Sequence, residues 1–311
     1  MLFSLIVPCY NEEDGVEPFF SAARDALEGQ GFEYEIVFVN DGSADATLER
    51  LRALAQAQRE LVRVVSFSRN FGKEAALLAG LRHAKGDTLC FIDADLQQPP
   101  RFALQMLRRL EEQPDLDCVC AVQGKRRENA IKRVLKSGFY RLINALSDVP
   151  FVAGASDFRV FRRNVADALL GMTEYYRFTK GLFSWVGFNT EYVPYQAEPR
   201  QSGQTKWSLL GLMRYAFDGI LSFTAMPLRF AVFAGIITAL LSVVYLLVVV
   251  IQKLFFSIDV PGYATIVTLI LFFGGAQLFF IGIVGEYLAR VFTQTKGRPP
   301  YIIKETFNTH E

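Results

Sequence analysis

The sequence predicts an α/β domain with a mostly parallel, doubly wound sheet, followed by two helices that span a membrane. Three observations support this prediction. Apolar runs of strand length alternate with helical patterns over residues 1–122, polar residues cluster after four of these runs, and two long stretches near the C-terminus carry no charge. Alternation of strand and helix is typical of parallel sheets that are covered by helices on both faces.

Five apolar runs have the length and composition of buried strands. They are residues 2–7, 36–39, 62–67, 88–92 and 118–122. Patterns with helical periodicity lie between them, at residues 16–27, 47–58, 74–83 and 102–110. Short, continuous apolar runs separated by helices predict strands that are buried on both faces of a sheet.

Length, charge and cysteine usage limit the classes of function. A chain of 311 residues with a net charge of +1 suggests about two domains and has no charge excess that would favour nucleic acid as a partner. The four cysteines, at positions 9, 90, 118 and 120, lie on or beside predicted strands. We expect them to be buried free thiols in a reducing compartment.

Two uncharged stretches, 231–251 and 260–285, predict membrane-spanning helices. Each exceeds the roughly 20 residues that cross about 30 Å of hydrocarbon. Buried helices of a soluble core are the alternative, but such helices are normally amphipathic. Basic residues flank both outer ends, so we expect the α/β domain and both termini to lie in the cytoplasm. These residues are Arg214, Arg229, Arg290, Lys296, Arg298 and Lys304.

The segment before the first uncharged stretch is also apolar, but Arg214 and Asp218 interrupt it and Pro227 ends it. This pattern is typical of an amphipathic helix that lies on a bilayer. The predicted domains are an α/β domain at 1–208, an interfacial helix at 209–229, a two-helix membrane domain at 230–289 and a cytoplasmic tail at 290–311. Small residues at 274–276 would permit close helix packing and so allow a homo-oligomer.

Two carboxylates one residue apart follow the fourth predicted strand. In an extended segment Asp93 and Asp95 point to the same side, because side chains alternate with a period of two. Such a pair repels itself unless a cation lies between the two groups. Hard oxygen ligands favour Mg²⁺ or Mn²⁺, usually together with phosphate oxygens of a substrate. The alternative is an ordinary aspartate-rich turn.

Three other predicted strands also end in polar clusters, at residues 8–13, 40–43 and 68–73. Open α/β sheets bind ligands beyond the carboxyl ends of their strands, so we expect these clusters to line one crevice together with the aspartate pair. The phosphate-binding motifs G-x-G-x-x-G and G-x-x-x-x-G-K-[ST] are absent from the chain. A metal ion on Asp93 and Asp95 would therefore have to compensate the charge of a bound diphosphate.

The segment 125–136 is strongly basic, with six Lys or Arg residues against the single acid Glu128. A solvated helix face, or attraction to anionic lipid headgroups, would explain this composition. The segment would equally suit the phosphate group of a lipid substrate, because arginine binds phosphate oxygens in a bidentate way.

Five motifs carry a resemblance to a known family. They are I-V-P-C-Y-N-E-E at 6–13, V-N-D-G-S at 39–43, F-G-K at 71–73, D-A-D-L-Q-Q-P at 93–99 and S-G-Q-T-K-W at 202–207. Together they resemble the family 2 glycosyltransferases of GT-A fold, and among these the dolichol-phosphate mannose synthases and bactoprenol glucosyltransferases. The resemblance covers nearly the whole chain, since the bactoprenol branch also has two C-terminal membrane helices.

The resemblance implies which residues bind a nucleotide-sugar donor. They are Pro8, Tyr10, Glu12, Asp41, Asp93, Arg200 and Lys206. Asp41 would face the base, and Tyr10 would stack near it. Arg200 and Lys206 would lie in or beside a loop that closes over the diphosphate.

The resemblance also implies a metal site and a carboxylate near the reacting atoms. Asp93, Asp95 and Gln97 would hold Mg²⁺ or Mn²⁺ on the diphosphate, so that Asp95 acts in catalysis. Asp157 would lie near the reacting centre, where the alternative is a cap or an ion pair with Arg159 or Arg162. A lipid phosphate is already anionic near neutral pH, so we expect Asp157 to orient the acceptor more than to remove a proton.

Arg126, Arg133 and Ser137 would bind the phosphate of the acceptor lipid, since Arg133 and Ser137 match an R-x-x-x-S element of the mannose synthases. The implied reaction is an inverting transfer of glucose from UDP-glucose to undecaprenyl (polyprenyl) phosphate. GDP-mannose or a modified UDP-pentose are alternative donors. A processive synthase would be expected to carry a Q-x-x-R-W motif, which is absent. A non-catalytic sugar-lipid carrier or scaffold is the alternative from another class.

Overall fold

The computed structural model describes residues 1–123, 144, 152, 154–196, 224, 226–256 and 262–309. The chain divides into two units. One is formed by Met1–Ser222 together with Pro299–Glu311, and the other by Phe223–Arg298. Most of the predicted interfacial helix at 209–229 lies outside the described residues, so it stays a prediction.

Among the described residues, the first unit contains an eight-stranded sheet with the order β7-β5-β6-β4-β1-β2-β3-β8. The strands are β1 (Leu2–Cys9), β2 (Glu33–Asn40), β3 (Val62–Phe67), β4 (Thr88–Phe91), β5 (Cys118–Gln123), β6 (Ala155–Arg162), β7 (Thr190–Tyr195) and β8 (Ile303–Phe307). β1 pairs in parallel with β2 and β4, and β2 pairs in parallel with β3. The predicted α/β fold with a mostly parallel sheet is therefore confirmed.

Helices pack on both faces of this sheet. They are α1 (Val16–Leu27), α2 (Thr47–Ala57), α3 (Lys73–His83), α4 (Pro100–Glu112), α5 (Arg163–Leu170) and α6 (Thr179–Trp185). Leu5 on β1 belongs to the core beneath α1, α2 and α4. Its neighbour Ile6 faces α3 on the other side, where Gly80 allows a close approach: a Cβ at this position would lie 2.2 Å from Ile6 Cγ2. Burial on both faces explains why the strands are continuous apolar runs.

The strand β8 forms in a segment that the sequence predicts only as a tail. It follows the second long helix in the chain and pairs antiparallel with β3 at the edge of the sheet. Its sequence, I-K-E-T-F, mixes apolar and charged residues, and its side chains are partly or fully exposed. A short, polar edge strand of this kind lacks the apolar run that identifies buried strands.

Within the described residues, the second unit holds two long helices, α7 (Met226–Phe256) and α8 (Tyr263–Thr295). Stretches of 24 and 31 residues in them have mean hydropathies of 2.7 and 2.3 and are long and apolar enough to cross a membrane. Large apolar side chains are exposed, such as Phe233 at 68% and Leu271 at 71%. Exposure of this kind is expected of helices in contact with lipid. The cytoplasmic position of both termini stays a prediction.

A buried carboxylate on β2 contacts side chains of both neighbouring strands, β1 and β3. Glu35 on β2 is 1% exposed and pairs with Arg63 on β3. Glu35 also accepts hydrogen bonds from the hydroxyl of Ser4 on β1 and from the backbone N–H of Lys85, both at 2.6 Å. Because a buried charge is tolerated only when it is paired and hydrogen-bonded, this network helps to fix how the strands meet.

Replacing Glu35 with alanine is expected to lower the free energy of unfolding by about 3–5 kcal/mol, because Arg63 would lose its partner inside the protein. Arg50→Ala is the control, since the Arg50–Glu17 pair is 54% and 61% exposed and should contribute about 0–1 kcal/mol. Thermal unfolding of the detergent-solubilised chain measures both changes. Equal midpoints for the two variants would contradict the role of Glu35.

Candidate active site

The carboxyl ends of the parallel strands β3, β2, β1 and β4 lie side by side at one edge of the sheet. Successive crossovers change direction at β1, which has β2 on one side and β4 on the other. Such a switch point is where open α/β sheets bind ligands. The four polar clusters of the sequence follow these four strands, so the structure brings them to the same edge.

Hydrogen bonds connect the loops that follow β1 and β2. The backbone N–H of Asn11 donates to the hydroxyl of Ser43 at 3.0 Å, and Asn11 Oδ1 accepts from the backbone N–H of Ala44 at 2.9 Å. The backbone N–H of Glu12 donates to Thr47 Oγ1 at 2.8 Å. Asn11 has a φ of +52°, in the left-handed region that asparagine tolerates better than most residues. These contacts fix the backbone beside the residues predicted to bind the nucleotide.

Two of those residues lie at the end of β1 itself. Pro8 is half-buried and pairs with Val39 on β2. Tyr10 follows the strand and is 39% exposed. Its position agrees with a ring that stacks on a ligand, and the stacking stays a prediction.

Asp41 is buried, with 3% exposure. It contacts the loop between β3 and α3 (residues 68–72), which we call the β3–α3 loop. Its two carboxylate oxygens accept hydrogen bonds from the backbone N–H groups of Phe71 at 2.6 Å and Gly72 at 2.9 Å. Burial raises the pKa of Asp41, although these bonds and the charge of Arg69 act in the opposite direction. Asp41 therefore positions the β3–α3 loop, while its contact with a base stays a prediction.

The predicted metal ligands follow β4 with alternating burial. Asp93, Asp95 and Gln97 are half-buried, whereas Ala94, Leu96 and Gln98 are buried. Leu96 has a φ of +57°, which is unfavourable for leucine and typical of functional sites. After this turn, Gln98 Oε1 accepts from the backbone N–H of Asp93 at 3.0 Å and Gln98 Nε2 donates to Asp93 Oδ2 at 3.1 Å. Asp95 Oδ1 accepts from the backbone N–H of Gln97 at 3.1 Å.

Asp157 lies beside Asp93 because β6 runs antiparallel to β4. Phe91 pairs with Arg159 at the carboxyl end of β4. Asp93 and Asp157 are each two residues beyond this pair, so they are the next side chains on the same face. Two neighbouring carboxylates repel each other unless a cation lies close to both.

Lys73, the first residue of α3, supplies this cation. Its Nζ lies 2.6 Å from Asp93 Oδ1 and 3.6 Å from Asp157 Oδ2. Burial acts to lower the pKa of Lys73, but the attraction of Asp93 and Asp157 outweighs burial, and the pKa is raised. The amine therefore stays protonated between the two acids.

Asp157 stays ionised as well. Burial acts to raise its pKa, but the positive charges of Lys180, Lys73 and Arg159 outweigh burial and lower the pKa. Its Oδ1 is buried and has no hydrogen-bond partner among the described residues. A buried, anionic oxygen of this kind is costly and is typical of a functional site.

A further acid, Glu74, binds Thr179, the first residue of α6. It accepts hydrogen bonds from the hydroxyl of Thr179 and from the backbone N–H of Thr179 at 3.0 Å. Burial, and then the charge of Asp157, raise the pKa of Glu74 to about 7. The contact fixes the start of α6 and with it Lys180, whose charge acts on Asp157.

Asp93 and Asp95 fit a divalent ion whose coordination is completed by a substrate. The part of the chain that the structure describes contains no group of three or more His, Cys, Asp or Glu that could hold a metal. Mg²⁺ is usually held by only one or two carboxylates, with water and phosphate oxygens as its other ligands. The contact between Lys73 and Asp93 shows that this carboxylate attracts positive charge. The residues present therefore fit Mg²⁺ or Mn²⁺ together with a diphosphate.

Five predicted site residues lie outside the described residues. They are Arg126, Arg133 and Ser137 for the acceptor phosphate, and Arg200 and Lys206 for the donor diphosphate. The basic segment 125–136 and the motif at 202–207 also lie there. Their roles stay predictions.

Residues 4–170 match the family model described as glycosyl transferase family 2. The chain belongs to this family. Residues 226–291, which include all of α7 and most of α8, match the model described as the GtrB C-terminal hairpin. The family resemblance that the motifs indicated is therefore confirmed.

Relatives of this glycosyltransferase match nearly its whole length. The putative glycosyltransferase CsbB of Bacillus subtilis (strain 168) is 41% identical over 98% of this chain and 92% of its own. The prophage bactoprenol glucosyl transferase homolog of Escherichia coli (strain K12) is 39% identical over 98% of this chain and 99% of its own. The bactoprenol glucosyl transferase of Shigella phage SfV is 40% identical over 98% of this chain and 98% of its own.

One similar solved structure is glucosyl-3-phosphoglycerate synthase from Mycobacterium tuberculosis in complex with Mn²⁺, UDP-glucose and glycerol 3-phosphate. The alignment covers 71% of the present chain and 78% of the synthase chain. The TM-score is 0.48 and the sequence identity is 20%. A likeness at this level carries no information about the ligands of the present glycosyltransferase.

Sequence reasoning missed three residues that organise the site of this glycosyltransferase. Lys73 belongs to the F-G-K motif, but the motif does not show which acids its amine reaches. Gln98, which the motifs did not single out, forms two hydrogen bonds with Asp93, while the metal role of Gln97 stays a prediction. One signal was present for Lys73 and Glu74: they are the two charged residues ahead of the apolar run at 75–81.

Glu74→Gln is expected to flatten the pH dependence of stability of this glycosyltransferase. The pKa of Glu74 is raised in the fold from 4.5 to about 7, so the folded state binds this proton more tightly than the unfolded state. Its contribution to stability therefore falls as the pH rises from about 4.5 to about 7. Glutamine keeps a carbonyl that accepts from Thr179 but does not titrate.

The measurement is the thermal-unfolding midpoint in detergent between about pH 5 and pH 7.5, the range in which the Glu74 carboxyl loses its proton. Glu49→Gln on the exposed surface of α2 is the control and should keep the wild-type slope. Parallel curves for wild type and Glu74→Gln would show that Glu74 does not titrate in this way.

Proposed function

We propose that this glycosyltransferase moves glucose from UDP-glucose to undecaprenyl (polyprenyl) phosphate on the cytoplasmic leaflet, with inversion at the anomeric carbon. The observation that carries the proposal is the pair of acids Asp93 and Asp157 around Lys73, at the carboxyl edge of the sheet. Two helices long and apolar enough to cross a membrane support a lipid acceptor. The relatives known as bactoprenol glucosyl transferases, which are 39% and 40% identical over 98% of this chain, support glucose as the sugar and a bactoprenol (undecaprenyl) phosphate as the acceptor.

The donor would bind at the ends of β1, β2 and β4. Asp93, Asp95 and Gln97 would hold Mg²⁺ or Mn²⁺ against its diphosphate. When bound, the ion would stabilise the negative charge that develops on the leaving nucleoside diphosphate. Gln98 keeps the Asp93 carboxylate oriented through its two hydrogen bonds. Arg200 and Lys206 would cover the diphosphate from the loop at 200–207.

Asp157 would orient the acceptor rather than remove a proton from it. A phosphate oxygen of the lipid is anionic near neutral pH, so this nucleophile needs no strong base. An anionic Asp157 beside an anionic phosphate requires positive charge nearby, and Lys73 and Lys180 supply it. The acceptor oxygen attacks the anomeric carbon from the face opposite the diphosphate, and the configuration inverts as the bond to the diphosphate breaks.

The lipid would reach the enzyme from the inner membrane. The helices α7 and α8 would span this membrane, with the α/β unit and both termini in the cytoplasm. Arg126, Arg133 and Ser137 would bind the lipid phosphate, because arginine binds phosphate oxygens in a bidentate way. Small residues at 274–276 would allow association of two copies through α8.

Nucleotide release distinguishes the donors. The purified chain with undecaprenyl phosphate and Mg²⁺ or Mn²⁺ is expected to release UDP from UDP-glucose only when the lipid is present, and not after addition of EDTA. Release from GDP-mannose or from a UDP-pentose instead would change the assigned sugar. No lipid-dependent release with any donor would reject the enzyme in favour of a non-catalytic carrier or scaffold.

Asp95→Ala is expected to lower turnover by about 100-fold or more, because it removes a carboxylate that would hold the ion against the leaving group. Asp25→Ala on α1 is the matched control. Its side chain is 75% exposed, and wild-type turnover is expected. The metal concentration at half-maximal turnover should rise only in Asp95→Ala, and wild-type turnover by this variant would contradict the metal role.

A further inference from the structure

We infer that Tyr301, which follows α8 in the chain, positions the β3–α3 loop for donor binding. This inference rests on the proposed function, because it concerns the binding of the nucleotide-sugar donor. Residues Pro299–Glu311 belong to the same unit as the sheet, and β8 within them pairs with β3. The β3–α3 loop leaves the sheet from the end of β3, so Tyr301 lies beside the start of this loop.

Tyr301 contacts both elements that the loop connects. Its ring stacks on Phe67, the last residue of β3, with centroids 4.8 Å apart and an angle of 13° between the planes. Its hydroxyl accepts a hydrogen bond from Arg82 on α3 at 3.2 Å, and the Arg82 guanidinium lies 5.6 Å from the ring centroid. Tyr301 is 7% exposed and Phe67 is 2% exposed. The contact is therefore part of the core.

Phe67 transmits this contact to the loop. It packs edge-to-face against Phe71, with centroids 5.8 Å apart and an angle of 90° between the planes. The backbone N–H of Phe71 donates to Asp41 at 2.6 Å. Two residues further along, Lys73 reaches Asp93 at 2.6 Å. A displacement of the Phe67 ring would shift Phe71 and with it the amine between the two acids.

Besides its pairing with β3, the segment that contains β8 makes a contact far from Tyr301, which provides a matched control. Near Tyr301, the backbone N–H of Ser68 donates to the carbonyl of Ile302 at 3.0 Å. Further along, Arg52 on α2 donates to both carboxylate oxygens of Glu305, at 2.6 and 2.7 Å. Loss of the Arg52–Glu305 pair would weaken the attachment of β8 on the α2 side and leave the Tyr301–Phe67 stack in place.

Tyr301→Leu removes the stack and is expected to raise the KM for the donor, and the Kd for UDP, by about 3- to 10-fold, the range that loss of one aromatic pair implies. The KM for polyprenyl phosphate is expected to rise as well, because Lys73 also faces Asp157, which would orient the acceptor. Tyr301→Phe keeps the stacked ring and should restore most of the donor affinity. Glu305→Gln should lower the thermal-unfolding midpoint while the donor KM stays at the wild-type value.

Two results would overturn the inference. The first is an equal change in donor KM for Tyr301→Leu and Glu305→Gln. The second is a Tyr301→Leu variant that loses thermal stability but keeps the wild-type donor KM and the wild-type Kd for UDP. If Tyr301→Leu does not fold, Tyr301→Met decides, because the flexible methionine side chain fills more of the space of the ring and still removes the stack on Phe67. An unchanged donor KM in that variant would also overturn the inference.

The Kd is measured with UDP and with GDP in the absence of lipid, so the result does not depend on turnover. A wild-type protein that binds a nucleotide but shows no lipid-dependent turnover would reject the proposed function. The comparison of Tyr301→Leu with Glu305→Gln by nucleotide affinity would still test the role of Tyr301.

Discussion

Two carboxylates, Asp93 and Asp157, lie side by side at the end of the sheet, and much of the surrounding structure serves to accommodate them. The antiparallel pairing of β4 with β6 brings them together, and neighbouring like charges raise each other's energy unless a cation is close. Lys73 is that cation. Its amine must be placed to within hydrogen-bond distance, which explains why Asp41 holds the backbone of the β3–α3 loop just before α3 begins.

The two kinds of buried acid in this chain differ in how completely they are bonded. Glu35 has a cation and two further donors, and it stabilises the junction of β1, β2 and β3. Asp157 is surrounded by positive charge, yet Oδ1 has no hydrogen-bond partner among the described residues. The fully bonded Glu35 stabilises the fold, whereas the incompletely bonded Asp157 marks a candidate functional site.

Local patterns predicted the parallel part of the fold, because β1 to β5 and α1 to α4 each carry their own apolar periodicity. The motifs also predicted that Asp93, Asp95 and Asp157 belong to one site, and the structure places Asp93 and Asp157 around Lys73. The pairing partner of β6 is a non-local choice, so the Asp93–Asp157 distance could not be predicted from either segment. Gln98 bonds Asp93 across a turn in which Leu96 adopts a positive φ, and the sequence D-A-D-L-Q-Q does not reveal this conformation.

The strand β8 follows both long helices in the chain, so the ribosome releases it after them. Until then the outer edge of β3 lacks its antiparallel partner, and an open edge invites pairing with other chains. Domains fold from the N-terminus during synthesis, so the α/β unit would fold first with this edge uncovered and without the ring of Tyr301. The sheet is thus completed only after both long helices have left the ribosome.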